Sequence, residues 1–387
     1  MHPVHRVFLI PGMFGFGRLA GYDYFLHLEN ELEARFREAH VPVILHVIPT
    51  PPTASIRRRA EHVARVIAKA AGADDGPIHL LGHSTGGLDA RLVMSPSTRL
   101  ELPPDVLEWR SRVRTVLTLN TPHYGTPLAS YFTTVSGTRL LYAVSLFTVT
   151  TLSLGRPPLS ALSSLVAAVG TLDQNFGAGF GMLESATEKA LRVIGDQSRD
   201  EVASYLDGIR HDQGGILQIT PECMDLFNSV AEDDPNVFYG SIASGSPPPS
   251  PLRFARNARS PFAVFSSAAY AALYQFSSRP SARYPHPRFS REIETKLHAA
   301  LGRVVDDVVC DGVVPTRSMV WGELLWAGKG DHLDVVGHFK DDDSEEAHID
   351  WMTSGASFGR YRFRTMVDAL ARPMLGSARA DEHTLAG

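Results

Sequence analysis

Five residues, Gly82-His83-Ser84-Thr85-Gly86, separate the apolar run Ile78-His79-Leu80-Leu81 from a helical pattern that begins near Gly87. That junction constrains the chain more than any other feature. A serine placed where a strand turns sharply into a helix has strained backbone dihedrals and projects its hydroxyl above the sheet. Glycines two before and two after it leave room for the turn. The G-x-S-x-G pattern alone is a weak signal in a chain with 32 glycines. With a strand before it and a helix after it, it reads as a nucleophile elbow with Ser84 as the candidate nucleophile, the alternative being a plain glycine-rich turn.

The same strand-then-helix order recurs through the first half. Val7 to Ile10, Val43 to Ile48, Ile78 to Leu81, Val113 to Leu119 and, later in the chain, Val237 to Ile242 are short runs rich in branched residues, bounded by Pro, Gly or Asn. Alternating with helical patterns, they predict an α/β fold: a mostly parallel central sheet with helices on both faces. Ser55 is placed to cap a helix in which Ile56, Ala60, Val63, Ile67 and Ala70 recur at helical spacing. Arg57, Arg58, Arg59 and Arg65 read as its outward, solvated side.

The 387 residues suit a single domain, 1–387, carrying two insertions. Past Thr126 the alternation stops, and residues 128–215 read as an inserted helical lid or cap, with plain core helix as the alternative. Leu140 to Leu154 is shorter than the roughly 20 apolar residues of a membrane span. The second insertion, 246–300, is expected near the active-site cleft. It opens with an irregular stretch, Ser246 to Pro287, whose prolines flank Phe262, Phe265, Tyr270, Tyr274 and Phe276, aromatics that read as internal packing or as a wall of the cleft. Asp341 to Glu346 is a short acidic run that reads as a solvated loop, with a cation site as the alternative.

Composition narrows the function classes. Hydrophobic residues at 44% support a sizeable core, and a formal net charge of -5 offers no basic excess for a nucleic acid partner. The expected partner is a small-molecule or lipid ester, with transient contact to a lipid interface driven by apolar surface. Two cysteines, Cys223 and Cys310, make neither a disulfide framework nor a four-ligand metal site, and are expected as free thiols, a single bridge between them being the alternative. The N-terminus enters an apolar strand without the marks of a secretory signal, so the expected location is cytoplasmic, or secreted if a leader has been removed.

A serine alone is a poor nucleophile; it needs a base, an acid that orients the base, and donors for the oxyanion. In this architecture the chain order is Ser, then Asp or Glu, then His. Asp311-Gly312 is an acidic residue in a tight turn, and His332 follows a strand-like run from Trp321 to Ala327. His338 and His348 are rival bases, and Asp306, Asp307 and Asp331 rival acids. Thr85, next to the nucleophile, supplies one oxyanion N–H. The second is expected from the loop after the first strand, Pro11-Gly12-Met13-Phe14-Gly15-Phe16-Gly17, with Met13 as the candidate donor.

At these residues the chain resembles the bacterial triacylglycerol lipases of the Pseudomonas and Burkholderia type, within the α/β-hydrolase superfamily. Pro11 to Phe16 is similar to their oxyanion loop, Gly82 to Gly87 to their elbow, and Asn120-Thr121-Pro122-His123-Tyr124-Gly125-Thr126-Pro127 to the segment after their next strand. Leu217 to Glu222 with Phe227-Asn228, Asp311 to Val314, and His332-Leu333-Asp334 resemble further blocks. The resemblance implies an α/β-hydrolase fold, a Ser84–Asp311–His332 triad, Met13 and Thr85 as oxyanion donors, and a lid after Thr126. It also implies a structural calcium held by Asp334 and an earlier aspartate, for which Ser246 to Pro287, with no Asp or Glu, offers no match. Catalysis itself is expected to need no cofactor. The expected activity is that of a serine carboxylic-ester hydrolase, a lipase or esterase acting on lipid-like acyl esters. An acyltransferase or thioesterase with the same triad, or a non-catalytic binding protein on the same fold, are the alternatives.

Overall fold

The computed structural model describes residues 3–13, 18–19, 22–72, 74–154, 185, 187–192, 196–257, 260–279, 288–341 and 348–385. Six strands form one parallel sheet: β1 (His5–Ile10), β4 (Val43–Val47), β5 (Ile78–His83), β6 (Val113–Leu119), β7 (Phe238–Gly245) and β8 (Glu323–Lys329), in the order β4-β1-β5-β6-β7-β8. The two-residue strands β2 (Arg18–Leu19) and β3 (Tyr22–Asp23) pair apart from it.

Both faces of the sheet are covered, which is why its strands read as continuous apolar runs. All six residues of β1 are buried, and successive side chains enter opposite cores. Val7 and Leu9 pack with Phe25, Leu28, Leu32 and Phe36 of α1 (Leu26–Glu38) and its N-terminal flank, and with the C-terminal helix Arg360–Leu385. Phe8 and Ile10 pack with Ala60, Val63 and Ile67 of α2 (Ile56–Ala70) and with Ala90 and Val93 of α3 (Thr85–Met94). Each buried Val, Leu, Ile or Phe among them contributes roughly 1.5–3 kcal/mol.

Strand order also makes the crevice. From β1 the chain steps to β4 on one side, then returns past β1 to β5 on the other, so the connections leaving β1 and β5 part there. Open α/β sheets bind ligands at such a switch point, beyond the carboxyl ends of the strands. Ile10 pairs with Gly82 and Leu119 with His83. The segments beginning at Pro11, Ser84 and Asn120 therefore leave the sheet side by side.

Two expectations from sequence need correction. Arg57 and Arg58 are exposed, but Arg59 is 1% exposed and lies in the interior. The stretch read as irregular from Ser246 carries two helices, Pro251–Asn257 and Pro261–Ser277; residues 258–259 and 280–287 lie outside the described ones. Ser260 caps the second helix by accepting from Ala263 N, with Pro261 at the first helical position, where its missing N–H costs nothing. This helix is apolar on most sides, so no 3.6-residue alternation marks it. Phe265, Tyr270 and Tyr274 are buried, in agreement with the packing role read for them. Cys223 and Cys310 are free thiols. No described helix is long and apolar enough to cross a membrane.

Candidate active site

Ser84 sits between β5 and α3 with φ 53° and ψ -129°. A side-chain-bearing residue in this region costs on the order of 1–3 kcal/mol, and the surroundings must hold it there. Ser84 N donates to Leu119 O at 2.8 Å, and Gly87 N donates to Ser84 O at 3.1 Å. The flanking glycines are required by contact. A Cβ on Gly86 would lie 2.1 Å from Ile10 O, and one on Gly82 would lie 2.4 Å from Gly86 C and Gly87 N. The turn is thus pressed between its own helix and the neighbouring strand.

Two other loops converge on it. After β8, His332 brings Nε2 to 3.0 Å from Ser84 Oγ, while its Nδ1 stands 2.6 Å from Asp311 Oδ2. Asp311 is fully buried, and its Oδ1 accepts from Val313 N and Val314 N at 2.8 and 2.7 Å. His332 N also donates to Asp311 O at 3.1 Å, so the two loops are tied through backbone as well as side chain. A carboxylate so placed keeps the proton of a neutral imidazole on Nδ1 and leaves Nε2 free to accept from the serine.

The rival residues are elsewhere employed. Asp331 Oδ1 accepts from Leu333 N and Asp334 N, and its Oδ2 accepts from Ser354 Oγ at 2.7 Å; it shapes the His332 loop. Asp306 accepts from Val308 N, and Asp307 stands 3.9 Å from Arg317. His348 bonds Gly337 O and stacks on His27. His338 is buried against Tyr24 and Trp351, where burial and then the neighbouring His27 push its imidazole down to about 3.

Asp334, the residue matched to a calcium ligand, is buried, and its Oδ2 accepts from Asp331 N at 2.8 Å. Burial and the nearby Asp331 and Asp350 carboxylates raise it well above the usual range. Among the described residues no group of three or more His, Cys, Asp or Glu is placed to hold a metal ion.

Met13 and Thr85 both line the cleft beside Ser84; Phe14 to Gly17 lie outside the described residues. Thr85 opens α3, where the first N–H groups of a helix have no intrahelical acceptor and favour negative charge. The cleft is strongly apolar, with Phe132, Leu141, Val144, Ile219, Leu273 and Trp351 among its walls. Leu141 and Val144 belong to the helix Val135–Leu154, and Leu273 to Pro261–Ser277. Both segments singled out in the sequence as insertions thus contribute to the cleft.

Two supports escaped the sequence reading. Arg59 Nη2 lies 2.7 Å from Asp89 Oδ2, and the same guanidinium donates to Pro11 O and Pro51 O, each at 2.7 Å. A buried ion pair between α2 and α3 therefore holds the start of the Met13 loop. Burial, opposed by Arg59, pushes Asp89 up to about 6. The signal was present: Arg59 stands three residues after Ile56 and four before Val63, on the apolar stripe of its helix. The second support is His83. Its Nε2 lies 2.9 Å from His332 O and its Nδ1 2.8 Å from Tyr24 Oη. A carbonyl only accepts, so His83 Nε2 carries the proton and Nδ1 accepts from the tyrosine. Burial holds this imidazole neutral, well below its ordinary value.

No protein-family model and no curated protein sequence matches the chain. Among solved structures it is similar to lipase 1 from Pelosinus fermentans, with a TM-score of 0.51 and 16% identity over 96% of this chain and 99% of that one. EstA from Clostridium botulinum has a TM-score of 0.47 at 17% identity, covering 94% and 88% of the two chains. A Staphylococcus hyicus lipase has a TM-score of 0.46 at 15% identity, covering 96% of each. The strand order, the elbow and the first of these likenesses define an α/β-hydrolase fold. At such identities the likeness extends to the fold alone.

Proposed function

We propose that the protein is a serine carboxylic-ester hydrolase acting on lipid-like acyl esters. The observation that carries this reading is the run of contacts from Ser84 Oγ to His332 Nε2 at 3.0 Å, and from His332 Nδ1 to Asp311 Oδ2 at 2.6 Å, beside an apolar cleft. Ser84 Oγ attacks the acyl carbonyl carbon as His332 Nε2 takes its proton. The Met13 and Thr85 N–H groups receive the oxyanion, and Asp311 stabilises the imidazolium. Collapse expels the alcohol, which leaves with the proton from His332. A water deprotonated by the same imidazole then attacks the acyl-enzyme and frees Ser84. The apolar walls hold the acyl chain, and the insertion at 128–215 serves as the lid or cap over them.

The test is initial hydrolysis rates across an ester series from acetyl to palmitoyl, with labelling by a serine-reactive phosphonate. The reading expects wild-type turnover and labelling, both lost in Ser84→Ala. A long-chain optimum marks a lipase and a short-chain optimum an esterase. A wild type that neither turns over any ester of the series nor takes the label overturns the proposal.

A further inference from the structure

Beyond the loops that carry Asp311 and His332, a second cavity of about 320 Å³ lies at the same carboxyl edge of the sheet, lined by Gly245 and Ser246 at the end of β7 and Lys329 at the end of β8. Four cationic side chains line it, Arg253, Arg303, Lys329 and Arg362, and no Asp or Glu does. They come from four separate places: the helix Pro251–Asn257, the residues after Arg291–Leu301, β8, and the helix Arg360–Leu385.

Among the described residues none of the four forms an ion pair, whereas nearby Arg317, Arg360 and Arg364 pair with Glu294, Asp341 and Glu31. In a chain with a net charge of -5 this is a local inversion of sign. The arginines are half-buried and held by backbone carbonyls: Arg303 Nη2 by Ser246 O at 3.0 Å, Arg253 Nη2 by Pro248 O, and Arg362 Nη1 by Ser357 O. Each guanidinium has five N–H donors in a fixed fork, so these bonds orient it and leave further donors. Lys329 has a second explanation: its Nζ approaches Gly302, at the C-terminus of helix Arg291–Leu301, where a cation is favoured. Arg303 also bonds the Tyr274 hydroxyl, and no helix C-terminus accounts for three arginines lining one cavity.

We propose that this cavity binds a phosphate-class oxyanion, whether a free phosphate compound or the phosphate of a lipid head group. Several fixed forks around one space match the tetrahedral oxygens of phosphate, and a dianion relieves the mutual repulsion of the cations. The cavity lies one side chain from the acyl cleft. Tyr270 lines that cleft, and its hydroxyl reaches Ser246 Oγ and Pro247 O, at 2.7 and 2.6 Å, in the wall of the basic cavity.

The experiment measures binding of inorganic phosphate, pyrophosphate and glycerol 3-phosphate to the full chain by calorimetry and thermal shift, against chloride at equal ionic strength. It compares wild type with the Lys329→Gln/Arg362→Gln double variant. The proposal expects saturable binding that weakens with salt and falls by at least about tenfold in the double variant. Vesicles of phosphatidylcholine with and without phosphatidylglycerol distinguish the sources. Enhanced sedimentation with phosphatidylglycerol, lost in the double variant, points to a lipid head group; soluble anions binding without it points to a free phosphate compound. Should the double variant not fold, wild type still decides: no saturable binding of any of the three anions and no preference for phosphatidylglycerol overturns the proposal. Neither readout needs turnover, so failure here leaves the hydrolase reading untouched.

Discussion

The cleft has two sides built by opposite means. On the strand-end side, the residues proposed to act are anchored by directional bonds: Ser84 through its N to Leu119 O, Asp311 through Oδ1 to two backbone N–H groups, and His332 through its carbonyl to His83. On the helical side, Phe132, Leu141, Val144 and Leu273 offer apolar surface. Proton transfer and attack on a carbonyl tolerate errors well under an ångström, so their groups need rigid support. An acyl chain needs area and shape, which many apolar side chains supply. The strand-end side should therefore be brittle to substitution and the helical wall tunable.

The largest effect is expected at the elbow. Ser84→Ala should lower ester hydrolysis by on the order of 10⁴–10⁶-fold with an unchanged melting temperature; activity close to wild type would erase the contrast between the two sides. Asp311→Asn should cost about 10⁴-fold in kcat by favouring the wrong imidazole tautomer, with little change in KM. Steady-state kinetics that divided this loss evenly between kcat and KM would assign Asp311 to the wall's kind of role.

Arg59→Met probes the support beneath the strand-end side. Removing one partner of a buried pair costs about 3–5 kcal/mol, read as a loss in unfolding free energy. Its pH dependence has a definite sign. Asp89 is already raised to about 6 in the folded protein, and Arg59 is what opposes a further rise. Without Arg59 the folded carboxyl holds its proton to higher pH, so the cost of burying the anion is absent in acid and grows as pH rises above about 6. Melting curves at pH 5 and pH 8 should show the gap to wild type widening with pH. A gap that narrows would mean that Asp89 is not the group left uncompensated.

The smallest effect is expected on the helical side. Val144→Phe should lower kcat/KM for long-chain esters by roughly 10–100-fold while acetyl esters keep their rate. Equal losses for both would show that the wall positions the catalytic groups as well as the chain.

Legibility in the sequence follows the same division. The elbow, Asp311 and His332 each stand in a local signal: apolar run, tight turn, polar residue at a strand end. The strands were legible because a sheet covered on both faces leaves continuous branched runs. Arg59 was misread because charge was given more weight than its place on the apolar stripe, and its partner Asp89 lies 30 residues away. The helix Pro261–Ser277 was missed because a segment apolar on most sides has no period to detect. The His83–Tyr24 and His83–His332 bonds join residues 59 and 249 positions apart, and no local pattern announces them.

Local sequence set the alternation of strands and helices, the strained serine turn, and the residue types available as base and acid, because these depend on neighbours within a few residues. Strand order and packing decided that His332 Nε2 reaches Ser84 Oγ and Asp311 reaches His332 Nδ1, that Arg59 meets Asp89 and holds Pro11, and that four cations share one cavity. Those outcomes depend on strand order and on the register Ile10 to Gly82, which place distant loops side by side at the carboxyl edge of the sheet.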